Sequence, residues 1–88
     1  MGVIFLSDLK LNECCEFVEY DVSIPLNIKR RMLELGFVSG VKVRLLQLSF
    51  LNDVMLVELN GYTLSLRKNI AQKMICRRLN CERNNFDW

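Results

Sequence analysis

The side chains best suited to chemistry in this chain are four cysteines, Cys14, Cys15, Cys76 and Cys81. Four thiolates are enough to hold Zn2+ or Fe2+. Their spacing argues against it, because an adjacent pair and a C-x4-C pair are not the usual C-x2-C arrangement. Adjacent residues on a strand point to opposite faces, so Cys14 and Cys15 are poorly placed to grip one tetrahedral ion. Free cysteine is among the most buried residue types, and buried or incidental thiols are the expectation. A metal-binding or metal-sensing module built on these cysteines, holding Fe2+ or Zn2+, is the alternative; the leading reading needs no cofactor.

Histidine is absent. That removes the commonest general base and the commonest metal ligand, and with them any Ser-His-Asp or Cys-His arrangement. The carboxylates show no paired spacing. The glycines, Gly2, Gly36, Gly40 and Gly61, are too dispersed for a phosphate loop. No reacting constellation can be written, so the chain is expected not to be an enzyme. The run Lys29-Arg30-Arg31 invites a nucleic-acid reading, but small barrels bind single strands through exposed aromatic platforms as well as basic grooves. Tyr62 is expected to face inward, so no nucleic acid is expected. Phe86 and Trp88 end the chain and read as a local cover or an anchor for a partner.

The elements that must position these groups fit one domain. The chain has 88 residues, 51% hydrophobic and 25% charged, which excludes a disordered tail. Net charge is +2, unevenly spread: residues 1–24 hold five acids against Lys10, and residues 25–88 hold eleven bases against five acids. A basic surface of this kind suits an acidic partner or an anionic membrane surface. No segment approaches the roughly 20 apolar residues a membrane helix needs. The opening "MGVIFLSD" lacks a basic flank, so it is not a secretory signal, and Leu6 fails the myristoylation pattern. The cytoplasm is the expected location, with the cysteines as thiols.

"CCEFVEYDV", Cys14 to Val22, reads as a strand. Pro25 can open a helix, and Ile28, Met32 and Leu35 then recur on one helical face through Leu35. Arg30 can pair with Glu34 on that helix. Gly36 stands where helices end in a left-handed residue, and Ser39-Gly40 is a second turn. In "VKVRLLQLSF" the alternation of Val41, Val43 and Leu45 slips by one residue to Leu46, Leu48 and Phe50. Such a slip predicts a bulge that bends the strand. "VMLVEL" is apolar on both faces, Asn60-Gly61 is a strong hairpin signal, and "YTLSLR" alternates with Tyr62, Leu64 and Leu66 inward. A short helix in "KNIAQKMI" and a last strand in "CRRL" complete the order. Short strands with tight turns predict a mainly β fold, a small closed or nearly closed barrel of about five strands. One helix follows the first strand and one short helix precedes the last.

The stretches "RRMLELGFVSGVKVRLL" and "NGYTLSLRKNIAQKMI" resemble the ferrous iron transport protein A (FeoA) family, and "SDLKLNE" resembles its opening. The resemblance runs from about Ser7 to Arg77. Ser39 departs from it, standing where the family usually has proline. The resemblance implies an SH3-like barrel shared with the C-terminal domain of iron-dependent repressors. Residues 1-80 would form the barrel domain and 81-88 a C-terminal tail. It further implies a small cytoplasmic accessory protein of ferrous iron uptake, placed at most peripherally at the inner face of the membrane. Such a protein would bind the cytoplasmic domain of a FeoB-type transporter and regulate or assemble it. Direct membrane insertion is not expected, and self-association is left open. The expected contact residues are Arg30, Arg31, Leu35, Gly36, Phe37, Val38 and Gly40 around the helix-to-strand corner. Val54 and Leu56 on the following strand form a second patch.

Overall fold

A computed structural model describes residues 2–79; the readings of Cys81, Phe86 and Trp88 lie outside those residues. Alternating side chains give six antiparallel strands: β1 (Val3–Phe5), β2 (Cys14–Tyr20), β3 (Lys42–Leu48), β4 (Val54–Leu59), β5 (Tyr62–Arg67) and β6 (Met74–Leu79). They form one sheet in the order β1-β6-β2-β3-β4-β5. Helix α1 (Leu26–Glu34) follows β2, and the single turn α2 (Lys68–Ala71) precedes β6. The mainly β barrel architecture expected from the turns is present, with one strand more. β1 is only three residues long, too short to announce itself by alternation.

The predicted bulge is there. The β3–β4 register slips between Leu45 and Gln47, which makes Leu46 the extra residue. The slip lets Val43 and Leu45 before it, and Leu48 after it, all lean on the core. It does not carry Phe50 inward: that ring is 96% exposed in the β3–β4 connection, a correction to the sequence reading. A second slip between Phe17 and Glu19 bends β2. The two bends curl the sheet around Phe17, Phe37, Leu45, Met55, Leu59 and Met74, all buried.

Helix α1 seats Ile28, Met32 and Leu35 on this core, as its periodicity requires. Its end is a Schellman motif. The Gly36 N–H donates to the Leu33 carbonyl and the Phe37 N–H to the Met32 carbonyl, both at 3.1 Å. Gly36 has φ +109°, a conformation that side chains with a Cβ rarely adopt. The motif drives Phe37 back beneath the helix, where its ring meets Phe17 edge-on at 6.1 Å. The chain then returns to β2: the Gly40 N–H donates to the Phe17 carbonyl and the Phe17 N–H to the Val41 carbonyl, each at 2.8 Å.

Candidate partner-binding surface

The corner between α1 and β3 is fixed from three sides. The Tyr20 hydroxyl donates to the Phe37 carbonyl at 2.7 Å. The Tyr62 hydroxyl donates to the Leu35 carbonyl. Ser39 donates its hydroxyl to the Val18 carbonyl at 2.6 Å. One of these carbonyls, that of Leu35, belongs to the helix end, where the backbone lacks intrahelical partners. Burial pushes the Tyr20 phenol up to about 12, so it stays a donor across the ordinary pH range. Tyr62 reaches the corner from outside, contrary to the inward placement its alternation suggests: its ring is half-exposed and only its hydroxyl closes on Leu35.

The residues expected to make contact separate into three groups. Arg30, Arg31, Val38 and Gly40 are exposed, with Val38 at 50%. Leu35 and Gly36 are half-buried. Phe37 is wholly buried, which removes its side chain from the contact patch and makes it the support beneath that patch. Val54 and Leu56 lie half-exposed on the outer side of β4, while Met55, Val57 and Leu59 fill the core. Leu59 pairs with Tyr62 beside the corner, so Val54 sits five residues away, about 16 Å along the strand. The corner and the outer face of β4 are thus two patches.

Each patch borders a shallow groove. One, of about 270 Å3, lies between Gly40–Lys42 and Glu58–Gly61. The other, of about 220 Å3, lies over Gln47, Leu48, Ser49, Val54, Leu56 and Ser65. Both fall below the roughly 300–1,000 Å3 of small-molecule pockets, so each suits a side chain of a partner. Sequence reasoning missed a further ridge. Leu26, 66% exposed, and Leu33, also exposed, share the side of α1 opposite the core residues, with Lys29 and Arg30 between them. Their spacing of seven carried the signal, masked by the stronger inward repeat.

The cysteines do not form a set. Cys15 and Cys76 are buried free thiols within the core cluster. Cys14, on the opposite side of β2, is disulfide-bonded, which corrects the expectation that all four are thiols. A hydrogen bond with Cys76 and burial both push the Cys15 thiol far up, so it is no thiolate at neutral pH. Among the described residues no three cysteine, aspartate or glutamate side chains are grouped to hold a metal ion. On β6, Arg77 pairs with Glu16 at 3.2 Å and Arg78 pairs with Glu13. The Lys10 backbone N–H, donating at 2.8 Å, and Arg78 together hold the Glu13 carboxyl below its ordinary range. These pairs tie Glu13 and Glu16 to β6 at the surface. No described helix is long and apolar enough to cross a membrane.

Comparison with known proteins places this geometry. The FeoA domain model matches residues 6–78. The solution structure of FeoA from Chlorobium tepidum is 28% identical, with a TM-score of 0.80 over 97% of this chain and 80% of that one. The crystal structure of Stenotrophomonas maltophilia FeoA, complexed with zinc, is 28% identical, with a TM-score of 0.72 over 83% of this chain and 88% of that one. That protein is described as a prokaryotic SH3-domain protein and proposed as a bacterial ferrous iron transport activating factor. A manganese-dependent transcriptional repressor shares the fold at 15% identity and a TM-score of 0.78, over 89% of this chain and 42% of that one. No curated protein matches the chain in sequence.

Proposed function

The chain belongs to the FeoA domain family, and from that premise we propose that it is an accessory protein of ferrous iron uptake. On this reading it works in the cytoplasm, at the inner face of the membrane, and binds the cytoplasmic domain of a FeoB-type transporter, which it regulates or assembles. It acts by docking, with no bond made or broken. The observation that carries the reading is the family match across nearly the whole barrel. What supports docking as the means is the corner itself: a rigid turn, held by two tyrosine hydroxyls, that presents Val38 beside Arg30 and Arg31. An apolar centre with a charged rim is the usual division of labour at an interface. The half-buried Leu35 and Gly36 shape the patch, Gly40 lines the adjoining groove, and Val54 and Leu56 offer a second contact.

Co-purification tests this. The full chain, tagged, is passed over the immobilised cytoplasmic domain of the transporter. Retention at physiological salt supports the reading. Absence of retention, with the chain folded by circular dichroism, overturns it.

A further inference from the structure

β5 forms one edge of the sheet, and no strand pairs with its outer margin among the described residues. Leu59 stands opposite Tyr62 across the two-residue turn Asn60-Gly61, whose φ angles are both positive. The closing pair of such a hairpin is hydrogen-bonded, and bonded and non-bonded pairs alternate from there. Tyr62, Leu64 and Leu66 therefore direct their main-chain groups to β4. Thr63 and Ser65 direct theirs outward, away from the sheet, as does the Arg67 N–H, while the Arg67 carbonyl opens α2. Three common protections of an edge are missing: β5 has no proline, its register with β4 runs unbroken, and it is six residues long. The other edge, β1, is protected by its brevity.

We propose that this edge pairs antiparallel with β5 of a second copy, about a two-fold axis at Ser65. In that register Ser65 meets the partner's Ser65, the two exchanging both main-chain bonds, and Thr63 meets the partner's Arg67, whose N–H donates to the Thr63 carbonyl. On the inner side, Leu64 meets the partner's Leu66 and the apolar layer continues across the junction. Charge complementarity supports this occupant and this register, with Glu58 standing between Arg44 of β3 and the arriving arginine. Glu58 on β4 is the direct neighbour of Thr63, on the outer side of the sheet. The partner's Arg67 arrives two strand spacings from Glu58, about 9.6 Å, within the combined reach of the two side chains. Symmetry makes two such Glu58–Arg67 pairs, and no like charges face each other.

The test is the oligomeric state of the full chain, measured by sedimentation equilibrium from micromolar to millimolar concentration. A dimer is expected. Arg67→Glu sets two carboxylates against each other twice, and the dissociation constant should rise about tenfold. Glu58→Arg with Arg67→Glu restores the attraction and should bring the constant back. Ser65→Pro removes an outward N–H that no partner among the described residues uses, and should give monomer. If that variant fails to fold, the charge exchange decides alone. A chain monomeric at millimolar concentration overturns the proposal, as does a dimer indifferent to the charge exchange. A monomer whose capture by the transporter domain is weakened by Arg67→Glu would place a foreign strand on this edge and overturn it equally.

Discussion

Gly36→Ala asks whether the corner is as tightly specified as its contacts indicate. Two costs add. At φ +109° an alanine carries a backbone penalty of roughly 1–2 kcal/mol that glycine escapes. A Cβ built at this position would also lie 2.7 Å from the Asn60 amide nitrogen and 3.2 Å from the Tyr62 hydroxyl. The amide is the far end of a flexible side chain and can swing away cheaply. The hydroxyl is anchored by its bond to the Leu35 carbonyl, and moving it forfeits roughly 0.5–1.5 kcal/mol. The sum is a loss of about 1.5–3.5 kcal/mol. For a domain of this size, each kcal/mol shifts the melting temperature by about 4–8 °C. Urea unfolding followed by circular dichroism measures the loss. A double-mutant cycle with Tyr62→Phe separates the two costs, because the double variant should lose less than the sum of the singles. If Gly36→Ala stays within about 0.5 kcal/mol of the parent, the close contact and the backbone strain are both misjudged. If the cycle is additive, Tyr62 is not the anchor described.

Tyr20→Phe removes the donor to the Phe37 carbonyl and should cost about 1–2 kcal/mol at pH 7. The phenol titrates near 10 when unfolded and is pushed up to about 12 in the fold, so its contribution is whole below pH 10 and fades between pH 10 and 12. The variant's unfolding free energy should therefore lose that part of the alkaline decline, and an unchanged alkaline profile would contradict the assignment. EDTA should leave the melting temperature unmoved, because the described cysteines assemble no ion-binding group. A chelator-induced drop would revive the metal-binding reading, since structural metal binding is folding energy.

Most of the fold could be read from periodicity and turns. The slip after Leu45 announced the β3 bulge because the side-chain period of a strand admits no other account of two apolar phases. Gly36 and Asn60-Gly61 marked chain reversals that demand positive φ, and positive φ is what they have. The misreadings share a cause. Tyr62 and Phe50 continue apolar phases into hairpin ends, where the sheet runs out and the next inward position faces solvent. The proposed contact surface was harder to read than the core. Phe37 was expected there as an apolar contact, yet the Schellman geometry folds the residue after Gly36 back onto the helix. The residue left exposed is Val38. Ser39 has a use that the family's usual proline could not supply, a hydroxyl bond to the Val18 carbonyl that ties the turn to β2.

The claim that the outside of this corner is the working part is tested most directly by titration calorimetry. The full chain is titrated against the transporter's cytoplasmic domain and compared with Val38→Asp carrying Arg31→Glu. Both positions are exposed, so the melting temperature should hold within a few degrees, while the affinity should fall by tenfold or more, as for hot-spot loss. Equal affinities in the two titrations, with both proteins folded, would contradict the account and move the binding site elsewhere on the barrel.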